Sequence, residues 1–584
     1  MNATNPVQSS SGVTEKYIIW GLIAILALLV AATVILASVP PVDRDALTHH
    51  LFVPKLWLQH GGIHEIPEIP FSYYPMNLDL LYTIPLYFGN DIVPKYIHYL
   101  FALLTAWLIH RYLNKRLGTT YGLLGAIFFL SIPIIVKLSI TVYVDLGLVF
   151  FTTASLLLLL HWAENDFRLR YLILAGLCCG LAAGTKYNGL ISIFVLTLFV
   201  PIIYQRSTGK EQQSNGKALL FGLVFAIATF VTFSPWLIRN YVWTGNPIYP
   251  LHNSLFQKNQ QPTVADSQST ADEVPSALQQ ITGNGSGAFA SRKILYHEAW
   301  WQALLLPVRF FFEGQDDNPQ FFDGKLNPFL LVLSIMAFLF KPPSPQEDRE
   351  KKILISFALL YFFLTFFQEA MRVRYIVPIV PPLVILSIYG LRRLNNAFVR
   401  QIGGNNAKIT TAAMIVAGIS CLMLGYNTQY IFKQFAIVAP LPYLRGEIRR
   451  DQYISTFRPE YPAIQYANSV LPSDAKVLCI FLGNRGYYMD FKPVFEQPFD
   501  TTGIFSNFLR LNDQEKDILK LMPKHGITHI LLRDDLTGSW FQQISDADKS
   551  RISPLFQNTS KPLFKKHGHT FFEITSKGFL LFRP

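Results

Sequence analysis

The sequence predicts a mainly α, polytopic transmembrane helical fold with a small α/β domain at its C-terminal end. Three observations carry that reading. Of 584 residues, 51% are hydrophobic and only 15% are charged, whereas soluble domains carry about a quarter charged residues. Long apolar runs recur from residue 17 to about residue 430. From about residue 455 the pattern changes to short apolar runs separated by charged helical segments.

A membrane helix needs roughly 20 mostly apolar residues. The segments 17–38, 92–111, 121–139, 143–162, 171–185, 188–204, 218–238, 327–340, 353–368, 375–391 and 409–427 qualify, giving about 11 spans and up to 13 by that criterion. "WWQALLLPVRFFF" (300–312) is a further short or re-entrant candidate. Segment 17–38 is too long, and too weakly basic in front, for a cleaved signal peptide.

The net charge of +12 does not imply nucleic acid, because Lys and Arg gather in cytoplasmic loops of membrane proteins. Here they do so on alternate ends of the spans: Arg111, Lys115 and Arg116; Arg168 and Arg170; Arg206, Lys210 and Lys217; Lys341, Arg349, Lys351 and Lys352; Arg392, Arg393, Arg400 and Lys408. That pattern predicts a multi-pass protein of the plasma (inner) membrane with a cytoplasmic tail, 1–16. Residues 17–430 form the membrane domain, with a first outer loop at 39–91 and a large one at 239–325. Residues 455–584 lie outside the cytoplasm.

In the first outer loop Leu47, Leu51, Pro54 and Leu58 recur at helical spacing, while Thr48, His49 and Lys55 fall off that stripe. This predicts a short helix lying in the membrane interface. "FSYYPMNLDLLYTIPLYFG" (71–89) reads as a second one, with tyrosines at headgroup depth; Tyr73, Tyr74 and Trp243 are outer-loop aromatics placed to touch a ligand. Residues 257–287 read as a polar, mobile stretch. In the C-terminal part "AKVLCIFLG" (475–483) and "GITHILLR" (526–533) read as strands, "DQEKDILKLMPKHG" as a helix and "FFEITSKGFLLF" as a closing strand pair. It has no GxGxxG loop, so no nucleotide is assigned to it. Cys178, Cys179, Cys421 and Cys479 form no disulfide framework and no zinc spacing.

Asp43 and Asp45 end the first span, and Asp145 stands at the outer mouth of the fourth. Cations stand at matching depth: Lys186 in "GTKYNG", Arg239 in "PWLIRNY", Arg372 and Arg374 in "EAMRVRYIVP". Carboxylates beside membrane spans are expensive and usually line cavities. Two carboxylate sites and several cations converging at one bilayer face suggest acid/base work on an anionic, lipid-borne substrate. The bland readings stand beside this one. Asp43 fits a helix cap or a pair with Arg44. Asp145 fits a structural hydrogen-bonder between spans. Arg372 and Arg374 fit headgroup anchors. Adjacent His49 and His50 point to different helix faces, which disfavours a two-histidine metal site; His49 with Asp45 one turn before it fits a ligand pair. His60 and His64 read as surface residues.

At these residues the chain resembles the GT-C glycosyltransferases. The likeness is to the ArnT/protein O-mannosyltransferase-like branch and its bacterial relatives of glycosyltransferase family 39. "DRDALTHHLFVPKLW" is similar to the family's first outer-loop motif, with Asp45 at its acidic position and His49 at its aromatic one. "VYVDLGLVFF" resembles the second acidic site, carried onto Asp145. "GLAAGTKYNGL", "RNYVWTGNPIYPL" and "RYIVPIVPPL" also look like family segments.

The resemblance implies a GT-C fold and sugar transfer from a polyprenyl-phosphate donor to an acceptor outside the cytoplasm, with inversion. It implies Asp45 as general base, and Asp43, Asp145 and His49 toward the acceptor or a metal. Lys186, Arg239, Arg372 and Arg374 are its candidates for the donor phosphate. The chain departs from the family where a lysine is expected in the second interfacial helix, since "YYPMNLD" has none. Acceptor class (lipid, glycan or protein) stays open. So does a divalent metal, because an Asp pair with nearby histidines fits both its presence and its absence. A lipid-linked glycan flippase and a surface polysaccharide polymerase or ligase are the competing functions.

Overall fold

The computed structural model describes residues 6–207, 214–256, 288–339, 342–366, 371–402, 406–497, 503–505, 508, 518, 522, 524–557 and 560–574. Within the described residues the predicted spans are helical, 121–139 as two helices rather than one. The first ten helices are α1 (Pro6–Ala37), α2 (Phe52–His60), α3 (Asn77–Tyr87), α4 (Val93–Leu117), α5 (Thr119–Ser131), α6 (Pro133–Ser139), α7 (Asp145–Glu164), α8 (Leu169–Thr185), α9 (Gly189–Ser207) and α10 (Asn215–Thr244). Later helices at Phe329–Leu339, Pro345–Phe366, Val380–Ile402 and Asn406–Val438 complete the bundle. Six described helices are long and apolar enough to cross a membrane, or seven if one bent pair is a single span. The protein is a multi-pass membrane protein.

The bent pair is the predicted segment 121–139, which is not one straight helix. It breaks into α5 and α6 with a 66° bend. Pro133 opens α6 and lacks an N–H, and Ile132 before it takes an extended ψ of 131°. A residue preceding proline is pushed out of the helical region, so the bend sits where the sequence puts it. Segment 300–312 forms two short helices, Trp300–Leu304 and Leu306–Phe312.

One end of the bundle is tied by charge. Arg116, at the end of α4, pairs with Glu350 at 2.6 Å and with Glu164 at the end of α7. Gln346 donates to both carboxylates, and Arg393 pairs with Glu347. Small residues set helix distances inside the bundle. Gly176 and Gly180 of α8 face α10, and a Cβ on Gly180 would stand 2.3 Å from the Thr229 carbonyl oxygen.

The C-terminal sheet runs β2-β1-β3-β5-β4. β1 (Lys476–Ile480) is parallel to β2 (Lys492–Glu496) and β3 (Ile527–Arg533). β5 (His569–Ile574) is antiparallel to β3 and to β4 (Ser560–Lys566). Alternate residues fill opposite faces: Leu478, Ile480 and Ile530 one core, Val477, Cys479 and Leu531 the other. A central strand covered on both faces reads as a continuous apolar run, as "VLCI" does. Closure comes from the β4–β5 hairpin; the second half of the predicted closing pair, most of the predicted helix at 513–526 and the stretch 257–287 lie outside the described residues. Among the described residues the cysteines are free.

Candidate active site

The chain turns helical again at Arg44, a few residues after α1 ends. Residues Ala46–His50 form a π-turn, closed by Leu51 N–H donating to the Ala46 carbonyl at 2.9 Å, before the helix tightens into α2. Such π-turns are rare and often mark functional sites. This one changes two expectations. The helix is not an amphipath with one wet face: Thr48, His49 and His50 are all buried along with Leu47 and Leu51. The two histidines do not diverge either. Their ring centroids lie 4.0 Å apart, because the wider turn rotates successive side chains by less than an α-turn does. His50 Nδ1 bonds Asp79 of α3 at 2.7 Å, and His49 stacks on Phe71 at 4.5 Å while its Nδ1 meets Thr48 Oγ1 at 2.8 Å.

Asp45 heads this π-turn, makes no cap hydrogen bond and instead forms an ion pair with Arg374. Burial pushes its carboxyl up, but the Arg374 guanidinium and the nearby histidines hold it well below the usual carboxylate range. Burial and the neighbouring His50 push the His49 imidazole down, toward its neutral form.

Asp145 opens α7 and is almost fully buried, with Lys186 Nζ 2.7 Å from its Oδ1. Lys186 caps the end of α8 in an extended conformation. The 141–146 turn that presents Asp145 is held by His98 of α4. Its Nδ1 meets the Thr141 carbonyl at 3.1 Å, and its Nε2 takes the Leu146 N–H at 2.9 Å. Tyr143, in the same turn, lies beneath Arg374, 5.4 Å from ring centroid to guanidinium, and Tyr375 lies 5.3 Å from both Arg374 and Lys186. Arg374 acts electrostatically on both carboxylates.

Asp45, His49, Asp145, Lys186 and Arg374 therefore come together. The other candidates stand apart. Asp43 faces a separate cavity of about 770 Å³ with Lys95, Lys137 and Arg458 on its walls. Burial raises the Asp43 carboxyl, only partly offset by Lys95 and Arg458. Arg239 donates to the Tyr73 carbonyl at 2.6 Å and the Tyr74 carbonyl at 3.2 Å, and lies over Trp236 and Trp243. Arg372 lies 3.7 Å from Asp323. Tyr73 is buried against Tyr249 and Trp243.

Sequence reasoning passed over Tyr143, Asp79, His98 and Lys95. Tyr143 alone carried a signal, two residues before Asp145 in "TVYVDLG". Among the described residues no group of three or more His, Cys, Asp or Glu side chains is gathered as metal ligands. The two site carboxylates each engage a cation instead, Asp45 with Arg374 and Asp145 with Lys186.

The profile of the family described as dolichyl-phosphate-mannose-protein mannosyltransferase matches residues 86–238, from the end of α3 into α10. A comparison with curated proteins finds no match. Among solved structures the chain is similar to ArnT from Cupriavidus metallidurans in the apo state, with a TM-score of 0.57 and 13% identity over 95% of this chain and 97% of that one. The same enzyme bound to undecaprenyl phosphate matches with a TM-score of 0.57 and 12% identity, covering 95% and 98%. The Archaeoglobus fulgidus oligosaccharyltransferase in complex with Zn and sulfate gives 0.51 and 12%, covering 91% and 71%. The GT-C resemblance read from the sequence thus holds for the fold, and over 86–238 for the sequence as well.

Proposed function

We infer that this chain, with its ArnT-like GT-C fold, transfers a sugar from a polyprenyl-phosphate donor to an acceptor hydroxyl, with Asp45 as general base. The observation that carries this reading is the pairing of Asp45 with Arg374 and of Asp145 with Lys186 within one cluster at one end of the bundle. The charged helix ends that tie the other end match the predicted cytoplasmic loops. That supports a site and a C-terminal domain on the extracytoplasmic side of the plasma (inner) membrane. A transporter would instead concentrate its charges near the bilayer midplane.

The acceptor hydroxyl gives its proton to the Asp45 carboxylate, and its oxygen forms the new bond to the anomeric carbon. The bond from that carbon to the phosphate oxygen breaks, and the electron pair leaves on the polyprenyl phosphate. Attack from the side opposite the phosphate inverts the anomeric centre. Arg374 and Lys186 are placed to stabilise the negative charge that grows on the leaving phosphate. While Arg374 holds Asp45, that carboxylate is a poor base. A donor phosphate competes for the guanidinium and so restores basicity at the point where the acceptor arrives. The acceptor is a lipid, a glycan or a protein. Asp145, holding Lys186, positions the phosphate contact.

Membranes containing the protein, a labelled polyprenyl-phosphate sugar and an acceptor extract test this directly. Asp45→Asn is expected to slow transfer about 10²–10⁴-fold, the usual contribution of a general base. A variant as fast as the native enzyme would remove Asp45 from the mechanism. Movement of the labelled lipid across the membrane without a transferred sugar would remove the transferase reading itself.

A further inference from the structure

A second cavity lies away from this cluster, in the seam between α2, the turn after α3 and the C-terminal unit. It has a volume of about 640 Å³, within the range of small-ligand sites. We propose that this groove binds a neutral oligosaccharide, the glycan end of the acceptor. The proposal rests on the transferase reading for the word acceptor, and on the groove alone for the glycan.

Its walls are firm. Asp91 is buried and pairs with Arg450 at 2.5 Å. Lys55 of α2 donates to the Tyr487 carbonyl at 2.9 Å, the Met489 carbonyl at 2.8 Å and Asp490 Oδ1 at 2.9 Å. The four charged residues of the lining, Lys55, Arg450, Asp91 and Asp490, cancel and pair with one another. Among the described residues no uncompensated charge lines the groove, so neither a phosphate nor an acidic polymer is matched there.

What the groove does present is aromatic rings and side-chain amides. Tyr461, Tyr487 and Tyr488 pack ring to ring, with centroids 5.0–5.1 Å apart. Tyr87 stands at the rim, 74% exposed. Gln59 and Gln465 are exposed amides along the same lining. Flat rings meet the C–H faces of sugars, and amides meet their hydroxyls both as donors and as acceptors. Mainly polar walls do not suit a lipid chain.

The position gives the length of the ligand. α2 runs on from the π-turn headed by Asp45, and Lys55 lies ten residues beyond that aspartate; five of the ten form the π-turn, which rises less per residue than an α-helix, so the separation along the helix is at most about 15 Å. A ligand seated in the groove with a hydroxyl at Asp45 spans that distance. A single sugar does not, and a chain of several does.

The full-length protein in lipid nanodiscs, free of glycoside detergents, is applied to an array of neutral and acidic oligosaccharides with monosaccharide and peptide controls. Retention of a neutral oligosaccharide but not of its monosaccharide is expected. Tyr87→Ala with Gln465→Ala, both at exposed positions, is expected to weaken that binding at least tenfold. Retention of no neutral oligosaccharide, retention of peptides instead, or binding untouched by the double substitution would overturn the proposal. Transfer is assayed separately, so failure of the groove and failure of the base assignment show in different measurements.

Discussion

At the residue scale the two aspartates of "VDRD" diverge, though one residue separates them. Asp45 is held ionised by Arg374, whereas Asp43 is pushed toward its protonated form by burial. Their linkage to folding therefore has opposite sign. A carboxyl whose value is depressed on folding stabilises the fold above its unfolded value of about 4, and that stabilisation is lost as pH falls below it. Asp45→Asn is expected to lower stability at pH 7 by up to about 3 kcal/mol, less than a fully buried pair because this one is partly solvated. The gap to the native protein should begin to narrow only below about pH 4 and go on narrowing as pH falls toward the much lower folded value. A carboxyl whose value is raised costs stability where it ionises, so Asp43→Asn should be neutral or stabilising at pH 7. Thermal unfolding of both variants at pH 7 and at a pH well below 4 checks the pair of signs.

At the scale of the element, the π-turn and the glycines of α8 do the positioning. A wider turn brings His49 and His50 together and leaves the Leu47 carbonyl to accept the Tyr487 N–H at 3.1 Å. Gly176, Gly180 and Gly184 recur every four residues along one face of α8. Small residues at this spacing let membrane helices approach closely. Gly184 meets Asn77 of α3, whose Oδ1 accepts from Trp236 of α10 at 2.8 Å. Gly180→Leu has no room against the Thr229 carbonyl and must spread α8 from α10. It is expected to cost about 1–3 kcal/mol and to displace Lys186 at the end of α8, with transfer falling more than tenfold. Melting temperature and transfer rate, measured on the same preparation, check this.

At the scale of the whole molecule, the C-terminal unit is the brace of the site helix. Its loop after β1 reaches back to the segment that carries both aspartates. Tyr488 Oη donates to the Pro41 carbonyl at 2.8 Å, and Gly486 packs against Phe52 so tightly that a Cβ would stand 2.3 Å from that ring. Lys55→Ala removes three hydrogen bonds of this contact, about 1 kcal/mol each. Faster proteolytic cleavage between the bundle and the sheet is expected, together with slower transfer, while the helices remain inserted. Cleavage and transfer at native rates would mean that the brace is not needed.

By itself the sequence determined the parts that depend on local composition. Apolar runs of membrane length specify helices wherever they stand. Pro133 marks the break between α5 and α6, and "VLCI" and "ITHILLR" mark buried strands. Asp45, Asp145, Lys186 and Arg374 were legible because a charge beside a membrane span is costly unless it has a partner. Which cation meets which carboxylate was decided only by the tertiary structure. Arg374 lies 329 residues from Asp45, and Arg239 bears a charge of the same kind at similar depth yet turns to backbone carbonyls. A side chain's charge is written in its own identity, but its partner is set by helix packing, and packing is a property of the whole chain.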